Sequence, residues 1–173
     1  MVIGSVSGMA KKSMGESAFI AVAVMAIGNA AGRIVSGMLS DRIGRRWTLM
    51  IVLLFQAGLM FLAIPLISSK TTAPALIVLV ASLIGFNYGA NLSLFPSFTK
   101  DLWGLKNFGM NYGVLFTAWG VGGLVLPRLQ QMLTANSGGS YQSSFVTAGG
   151  LLLVGALLTL AIKPPPPKAA GPP

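Results

Sequence analysis

The sequence predicts an all-α membrane protein, and three observations support that fold class. Of the 173 residues, 54% are hydrophobic and only 9% are charged, and the mean hydropathy is +0.77. Water-soluble domains usually carry about a quarter charged residues. The apolar residues form runs of about 20, the length that crosses a bilayer, without the period-2 alternation of barrel strands. We therefore expect a helical bundle of five full transmembrane helices plus the end of a sixth.

Short polar turns divide the chain into the expected helices. Residues 1–10 are apolar but too short to cross a bilayer, and we interpret them as the end of an earlier helix. Residues 1–162 should form the bundle, and the Pro-rich residues 163–173 a disordered tail. The five full spans are expected at residues 17–39, 48–67, 73–98, 109–130 and 143–162.

The loop charges predict the orientation, because cytoplasmic loops carry an excess of Lys and Arg. One side receives seven basic residues, namely Arg42, Arg45, Arg46, Lys100, Lys106, Lys163 and Lys168; the other receives four, namely Lys11, Lys12, Lys70 and Arg128. We expect the Arg42 loop and the C-terminal tail to be cytoplasmic, in a multi-pass protein of the inner or plasma membrane. The net charge of +9 forms no continuous basic face, so nucleic acid is not an expected partner.

Two residue types are absent from the chain, which limits the catalytic reactions that it could perform. The chain has no Cys and no His, and its acidic residues are Glu16, Asp41 and Asp101, in or beside expected loops. Disulfides, thiol nucleophiles and imidazole bases are therefore excluded. We expect no enzyme activity, no metal site and no cofactor. A proton-coupled mechanism would need its proton acceptor in another part of the protein or on the substrate.

Arg33 and Asn29 form a polar stripe inside the first expected span. Arg33 lies six residues before the predicted end of that span, about 9 Å along the helix axis. An Arg at the centre of a membrane helix costs about 2.5–3.5 kcal/mol, so such residues usually face a bundle interior or a substrate path. Its guanidinium suits bidentate binding of a carboxylate. The alternative is that Arg33 extends to the lipid headgroups.

Small residues follow a four-residue repeat beside this stripe. Gly28, Gly32 and Ser36 lie on one helix face, where they allow a neighbouring backbone to approach closely. We expect this packing to hold the polar stripe in one direction.

The segment from residue 37 to residue 46 reads G-x-L-S-D-R-x-G-R-R. It resembles the loop motif of the major facilitator superfamily, which recurs between the second and third helices of each six-helix half. The resemblance implies a gating latch of ion pairs and helix dipoles that breaks and re-forms during alternating access. The alternative is a solvated turn with an (i, i+4) ion pair between Asp41 and Arg45. The motif residues are Gly37, Asp41, Arg42, Gly44, Arg45 and Arg46.

Two later segments extend the resemblance. Residues 87–97 read NYGANLSLFPS and residues 106–120 read KNFGMNYGVLFTAWG. Both resemble the oxalate/formate antiporter family and its bacterial monocarboxylate transporter relatives. The match runs to about residue 162 and corresponds to the C-terminal half, from the end of helix seven through helix twelve. It implies an N-terminal six-helix half as a partner.

The resemblance also implies roles for individual residues. The Arg of helix eight binds the substrate carboxylate in that family, a role that falls on Arg33, with Asn29 as its neighbour. The oxalate transporter has a Lys in helix eleven where this chain has Trp119. One cation beside an apolar wall of Phe116 and Trp119 suits a small monocarboxylate better than oxalate.

Tyr88 and Tyr112 are further candidates for the site. They either donate hydrogen bonds to the substrate or anchor the helices at the membrane interface. The expected function is secondary transport of small organic anions such as lactate, pyruvate or formate by alternating access, with a half transporter inactive alone. The alternatives are a non-transporting membrane scaffold or regulatory fragment, and oxalate/formate exchange.

Overall fold

Five long helices make up the part of the chain that the computed structural model describes, which is residues 18–68, 74–136 and 142–162. Each helix, the last with its 3₁₀ extension, is long and apolar enough to cross a membrane, which confirms the predicted helical bundle. The expected helix end at residues 1–10 and the tail at residues 163–173 lie outside the described residues. The helices are α1 (Ala18–Ile43), α2 (Arg45–Ser68), α3 (Pro74–Trp103), α4 (Phe108–Asn136) and α5 (Gln142–Leu158), which a 3₁₀ turn (Thr159–Ala161) extends.

The helices are longer than their apolar runs, so several turns are shorter than predicted. The turn predicted at residues 41–47 shrinks to Gly44 alone, and α3 continues to Trp103 where a turn was expected after residue 98. In the same way α4 extends to Asn136 instead of residue 130. Hydropathy marks where apolar residues stop, whereas the backbone ladder continues through polar residues that reach the headgroup layer. Asp41, Arg42, Arg45, Arg46, Lys100 and Asp101 are therefore helical.

Gly44 joins α1 to α2 in a left-handed backbone conformation, with φ of 90°. Its N–H donates to the Ser40 carbonyl over 3.1 Å, and its own carbonyl accepts from the Thr48 backbone N–H at 3.2 Å and from Thr48 Oγ1 at 2.9 Å. One residue thus ends α1 and begins α2. This positive φ is the physical reason for glycine at that position of the loop motif.

We expect Gly44→Ala to lower stability by about 1–3 kcal/mol, the typical strain of a side chain forced into a positive-φ conformation. Gly37→Ala is the matched control, because a Cβ at Gly37 meets nothing within 4 Å. Thermal unfolding in detergent, followed by circular dichroism, compares the two variants. Equal midpoints for both would contradict the assignment of strain to Gly44.

The helices α1 and α3 cross in direct backbone contact. A Cβ on Gly28 would lie 2.8 Å from Ser82 Oγ, and one on Gly32 would lie 2.7 Å from the Phe86 carbonyl carbon. Ser36 Oγ continues the same face and lies 2.8 Å from Ser93 Oγ. The predicted close approach along Gly28, Gly32 and Ser36 is therefore confirmed, with α3 as the neighbour.

The buried apolar core lies mainly between α2 and α3. One cluster joins Leu49 and Val52 of α2 to the α3 residues Ala90, Leu94 and Phe98. A second joins Leu59, Met60 and Ala63 of α2 to Val80 and Ile84 of α3, with Phe145, Ala148 and Leu152 of α5 packed against them. These contacts make α2 and α3 the centre of the described bundle and place α5 against α2.

Helix α4 lies at the periphery of the bundle. No side chain from residue 108 to residue 135 is buried, and α4 approaches α3 and α5 among the described helices. Its large exposed side chains include Met110, Val114 and Leu124. Such exposure is compatible with a bilayer, because lipid tails are as apolar as these side chains.

Candidate functional site

Arg33 lies near the middle of α1, hydrogen-bonded to Asn29 one helical turn earlier. Its Nε donates to Asn29 Oδ1 over 3.1 Å, and within the described residues neither Nη1 nor Nη2 has a protein partner. Arg33 is exposed and Asn29 is half-buried. The amide thus holds the guanidinium by one edge and leaves the other edge, the two terminal nitrogens, free for an anion.

Arg33 lies close to the centre of the apolar span of α1. Arg33 precedes Ile43, the last residue of α1, by ten residues, which is about 15 Å of helix. The apolar span assigned to α1 is Val22–Ile43, so Arg33 lies close to its centre. Because Asp41 and Arg42 near the end of α1 reach the headgroup layer, the Arg33 side chain would have to extend along the eight residues to Asp41, about 12 Å, to reach that layer.

Backbone contact with α3 fixes the direction of this polar stripe. A Cβ at Gly89 would lie 2.8 Å from the Asn29 carbonyl carbon, so α3 touches α1 at the level of the stripe. Ser36 Oγ also donates to the Ala90 carbonyl over 3.4 Å. Because α1 contacts α3 along several turns, the position of Arg33 on α1 depends on α3 as well.

The aromatic residues predicted for the site form a ladder on α4. Phe108 and Tyr112 stack with ring centroids 5.7 Å apart, Tyr112 and Phe116 are 5.5 Å apart, and Phe116 and Trp119 are 5.4 Å apart. Phe116 and Trp119 are exposed, whereas Tyr112 is half-buried. The ladder presents a continuous aromatic surface along one side of α4.

The structure does not bring this ladder together with Arg33. Both α1 and α4 approach α3, but across the described residues no Cα of α1 lies within 8 Å of a Cα of α4. Tyr88 lies on α3, half-buried and one residue before Gly89, whose backbone approaches Asn29. Neither Tyr88 nor Tyr112 hydrogen-bonds to Arg33 or Asn29 in the described part of the chain.

Arg45 is the centre of an ionic cluster that links three helices. Its Nη1 lies 2.8 Å from Asp41 Oδ1 of α1, and its Nε donates to Asp101 Oδ2 of α3 over 3.0 Å. Arg45 also donates to Ser40 Oγ, and Ser40 Oγ donates to the Gly37 carbonyl over 2.8 Å. The (i, i+4) pair offered as the plain alternative is therefore present, but it is half of a larger cluster.

The other Arg residues of the motif have different surroundings. Arg46 Nη2 donates to the Leu160 carbonyl over 2.7 Å, a favourable place for a cation because carbonyls at a helix C-terminus carry partial negative charge. The Arg46 guanidinium carbon lies 5.6 Å from the Trp47 ring centroid. Arg42 is exposed and has no described carboxylate partner. The motif thus connects the ends of α1, α2, α3 and α5.

Asp101 and Ser93 are the residues that sequence reasoning missed. Asp101 was assigned to a loop, yet it supplies the carboxylate that ties α2 to α3. Ser93 belongs to a second small-residue row on α3, together with Ser82, Gly85 and Gly89. That spacing of three and four residues was visible in the sequence, but the helix it faces was not.

Replacing Asp101 should matter more than replacing Asp41. The Asp101 side chain is 28% exposed and the Asp41 side chain 68% exposed, and exposed (i, i+4) pairs contribute only about 0.3–0.5 kcal/mol. We expect Asp101→Asn to lower stability by about 1.5 kcal/mol, and Asp41→Asn to lower it far less. Double-mutant cycles of each with Arg45→Gln, read from unfolding midpoints, measure both couplings. Equal couplings would contradict the cross-helix role of Asp101.

A separate cavity of about 220 Å³ lies between α2, α4 and α5. It contains none of the predicted site residues and no ionisable side chain, so it offers nothing that recognises an organic anion. We therefore assign the candidate site to Arg33 and not to this cavity. Its lining residues are Met60, Leu126, Leu129, Gln130, Leu133, Ser144, Phe145, Thr147, Ala148 and Leu151.

Comparisons with known proteins identify relatives among membrane transporters. The model of the Major Facilitator Superfamily matches residues 2–173. The MFS transporter asaE of Aspergillus flavus is 34% identical over 132 residues, which are 76% of this chain and 29% of that protein. The MFS-type transporter YhjX of Escherichia coli is 37% identical over 112 residues, which are 62% of this chain and 26% of that protein. The probable transporter mch1 of Emericella nidulans is 40% identical over 76 residues, which are 40% of this chain and 12% of that protein.

The chain spans less than a third of the length of these relatives. The resemblance to the oxalate/formate branch stays a prediction, because the matches identify the superfamily as a whole. The described helices and the family match agree on the broader class. The chain is an integral, multi-pass membrane protein that belongs to the Major Facilitator Superfamily.

Proposed function

We propose that this chain supplies the anion-binding wall of a secondary transporter for small monocarboxylates. The observation that carries the proposal is Arg33, held by Asn29 through Nε and left with two free terminal nitrogens near the centre of a membrane span. A guanidinium stays charged at any working pH and offers two parallel donors to a carboxylate. Lactate, pyruvate and formate each carry one carboxylate, which one guanidinium can pair.

The charge distribution favours a monocarboxylate over oxalate. Arg33 is the described charged side chain nearest the centre of its span; Arg128 lies seven residues before the end of the span 108–135, and the other described charges lie within three residues of a span end or in turns. A dicarboxylate would leave its second charge in an apolar environment, at high cost. Oxalate/formate exchange is therefore the second choice and would need a cation from another part of the transporter.

The ionic cluster around Arg45 suits the part of a gating latch. It connects α1, α2 and α3 through Asp41 and Asp101, so relative movement of these helices must break charge-assisted hydrogen bonds. In facilitator folds the substrate site lies near the bilayer midplane between repeats. We propose that an N-terminal six-helix half supplies the opposite wall, and that the Arg42 side of the bundle faces the cytoplasm.

A reconstitution experiment tests transport. The chain is placed in liposomes alone and together with an N-terminal six-helix half from a related transporter, and uptake of radiolabelled pyruvate, lactate, formate and oxalate is measured. We expect monocarboxylate uptake with both halves present, and its loss in the Arg33→Ala variant. Arg128→Ala, which removes an exposed cation on α4, is the matched control and should leave uptake unchanged.

The same experiment distinguishes the alternative function. A non-transporting scaffold or regulatory fragment would insert and associate with a partner half, yet give no Arg33-dependent uptake under either condition. Uptake that is equal in the wild type and in Arg33→Ala would contradict the proposed site but not transport itself. Oxalate uptake exceeding that of the monocarboxylates would favour the exchange function.

A further inference from the structure

The end of the bundle that contains the α1–α2 junction carries unbalanced positive charge. We call it the Arg-rich end and define it as residues 41–47, 100–107 and 159–162. The bonds from Arg45 to Asp101 and from Arg46 to the Leu160 carbonyl hold these three segments together. Any charge that they do not neutralise is therefore presented on one surface.

Both carboxylates at this end bond to the same cation. Asp41 and Asp101 are each paired with Arg45, and no other described carboxylate is present. Five cations against two carboxylates leave a net charge of +3 on the described Arg-rich end. The cations without a described carboxylate partner are Arg42, Arg46, Lys100 and Lys106.

These cations are accessible or incompletely hydrogen-bonded. Arg42, Lys100 and Lys106 are exposed. Arg46 is half-buried, donates through Nη2 to one backbone carbonyl, and has a buried Nε with no partner in the described part of the chain. The described residues therefore do not bind all the hydrogen-bond donors of these cations, and an external anion would form charge-assisted hydrogen bonds with them.

The position of the surface identifies the kind of anion. All four cations lie at or just beyond the ends of membrane-spanning helices, which is the level of the lipid headgroups. Trp47 and Trp103 are 50% and 56% exposed at the same end, and Trp side chains concentrate at the membrane–water interface. An acidic protein segment would match the charge, but it would not account for the two exposed indoles.

We propose that the Arg-rich end is a binding surface for the headgroups of anionic phospholipids. Arg42, Arg46, Lys100 and Lys106 provide the charge complementarity, and Trp47 and Trp103 insert at the glycerol level beside them. Each Lys or Arg near an anionic leaflet strengthens attachment about fivefold. The surface is distinct from Arg33, so this proposal stands whether or not the chain binds monocarboxylates.

Fluorescence quenching by brominated lipids tests the proposal. Trp103→Phe and Trp119→Phe leave Trp47 as the one tryptophan of the chain. This protein is reconstituted in vesicles of phosphatidylcholine and phosphatidylglycerol, with the bromine on the acyl chains of one lipid or the other. We expect brominated phosphatidylglycerol to quench Trp47 at a several-fold lower mole fraction than brominated phosphatidylcholine, and the preference to weaken at high salt.

Charge variants connect the preference to the named residues. Arg46→Gln should reduce the preference for phosphatidylglycerol about fivefold, whereas Arg46→Lys should largely retain it. Arg128→Gln removes a described cation outside the Arg-rich end and should change nothing. Lys100→Gln with Lys106→Gln provides a second loss variant on exposed side chains, in case Arg46→Gln does not fold.

Three results would overturn the proposal. The first is equal quenching of Trp47 by both brominated lipids, and the second is a preference that survives the loss of these cations. The third is displacement of phosphatidylglycerol by millimolar inorganic phosphate, which would assign the surface to a soluble anion. A preference that is lost in the glutamine variants and is insensitive to phosphate supports a lipid headgroup surface.

Discussion

Replacing Arg33 with lysine is expected to weaken carboxylate binding by about 10- to 150-fold while leaving membrane insertion and helix content unchanged. The lysine keeps the charge but loses the planar pair of donors and the Nε bond to Asn29 Oδ1. Hydrogen bonds to charged groups contribute about 1.5–3 kcal/mol, which corresponds to that range. Binding of labelled pyruvate to the reconstituted protein, together with circular dichroism, measures both properties.

Two comparisons separate a binding role of Arg33 from a merely interfacial one. Arg128→Lys, on α4, makes the same chemical change on an exposed cation outside the polar stripe and should leave binding intact. If Arg33 only extended to the headgroups, lysine would replace it fully, because both side chains can do so. Unchanged binding in Arg33→Lys would therefore show that the anion is held elsewhere.

Gly32→Ala is expected to give the largest loss of stability among small substitutions in α1. The added methyl carbon would lie 2.7 Å from the Phe86 carbonyl carbon, part of a rigid helix backbone. Relief requires α1 and α3 to separate, and overpacking of this kind costs about 1–3 kcal/mol. Because Arg33 follows Gly32 directly, the same shift should also weaken carboxylate binding.

Gly113→Ala provides the matched control for Gly32→Ala. Both glycines lie inside membrane-spanning helices, but a Cβ at Gly113 meets nothing within 4 Å. Alanine there should be neutral or slightly stabilising, because it favours helix more than glycine does. Thermal unfolding in detergent compares the two proteins. Similar midpoints would mean that the α1–α3 contact is looser than described.

Arg33→Lys and Gly32→Ala together distinguish a transporter from a scaffold. A scaffold needs the α1–α3 contact for stability but has no use for a bidentate donor in mid-membrane. It would therefore lose stability in Gly32→Ala and show no effect of Arg33→Lys. A monocarboxylate transporter would respond to both, and its binding defect in Gly32→Ala would follow from the displaced guanidinium.

The number and approximate places of the helices followed from the sequence alone. Runs of about 20 apolar residues must form helices in a bilayer, since each backbone polar group has to be bonded within its own segment. The Gly28, Gly32 and Ser36 row was also readable, because a four-residue spacing places small residues on one face whatever the neighbour is. Arg33 was recognisable because a charge inside an apolar run is costly in lipid and usually faces a bundle interior or a substrate path.

Tertiary structure decided which groups meet. Nothing in the spacing indicated that Asp101 would bond to Arg45, because an ion pair between distant residues depends on where two helix ends converge. The helices extend into segments that were predicted to be turns, because hydropathy does not detect polar residues that continue a helix into the headgroup layer. The sequence thus determined that Arg33 lies in the membrane, whereas the contact between α1 and α3 decided how that side chain is held.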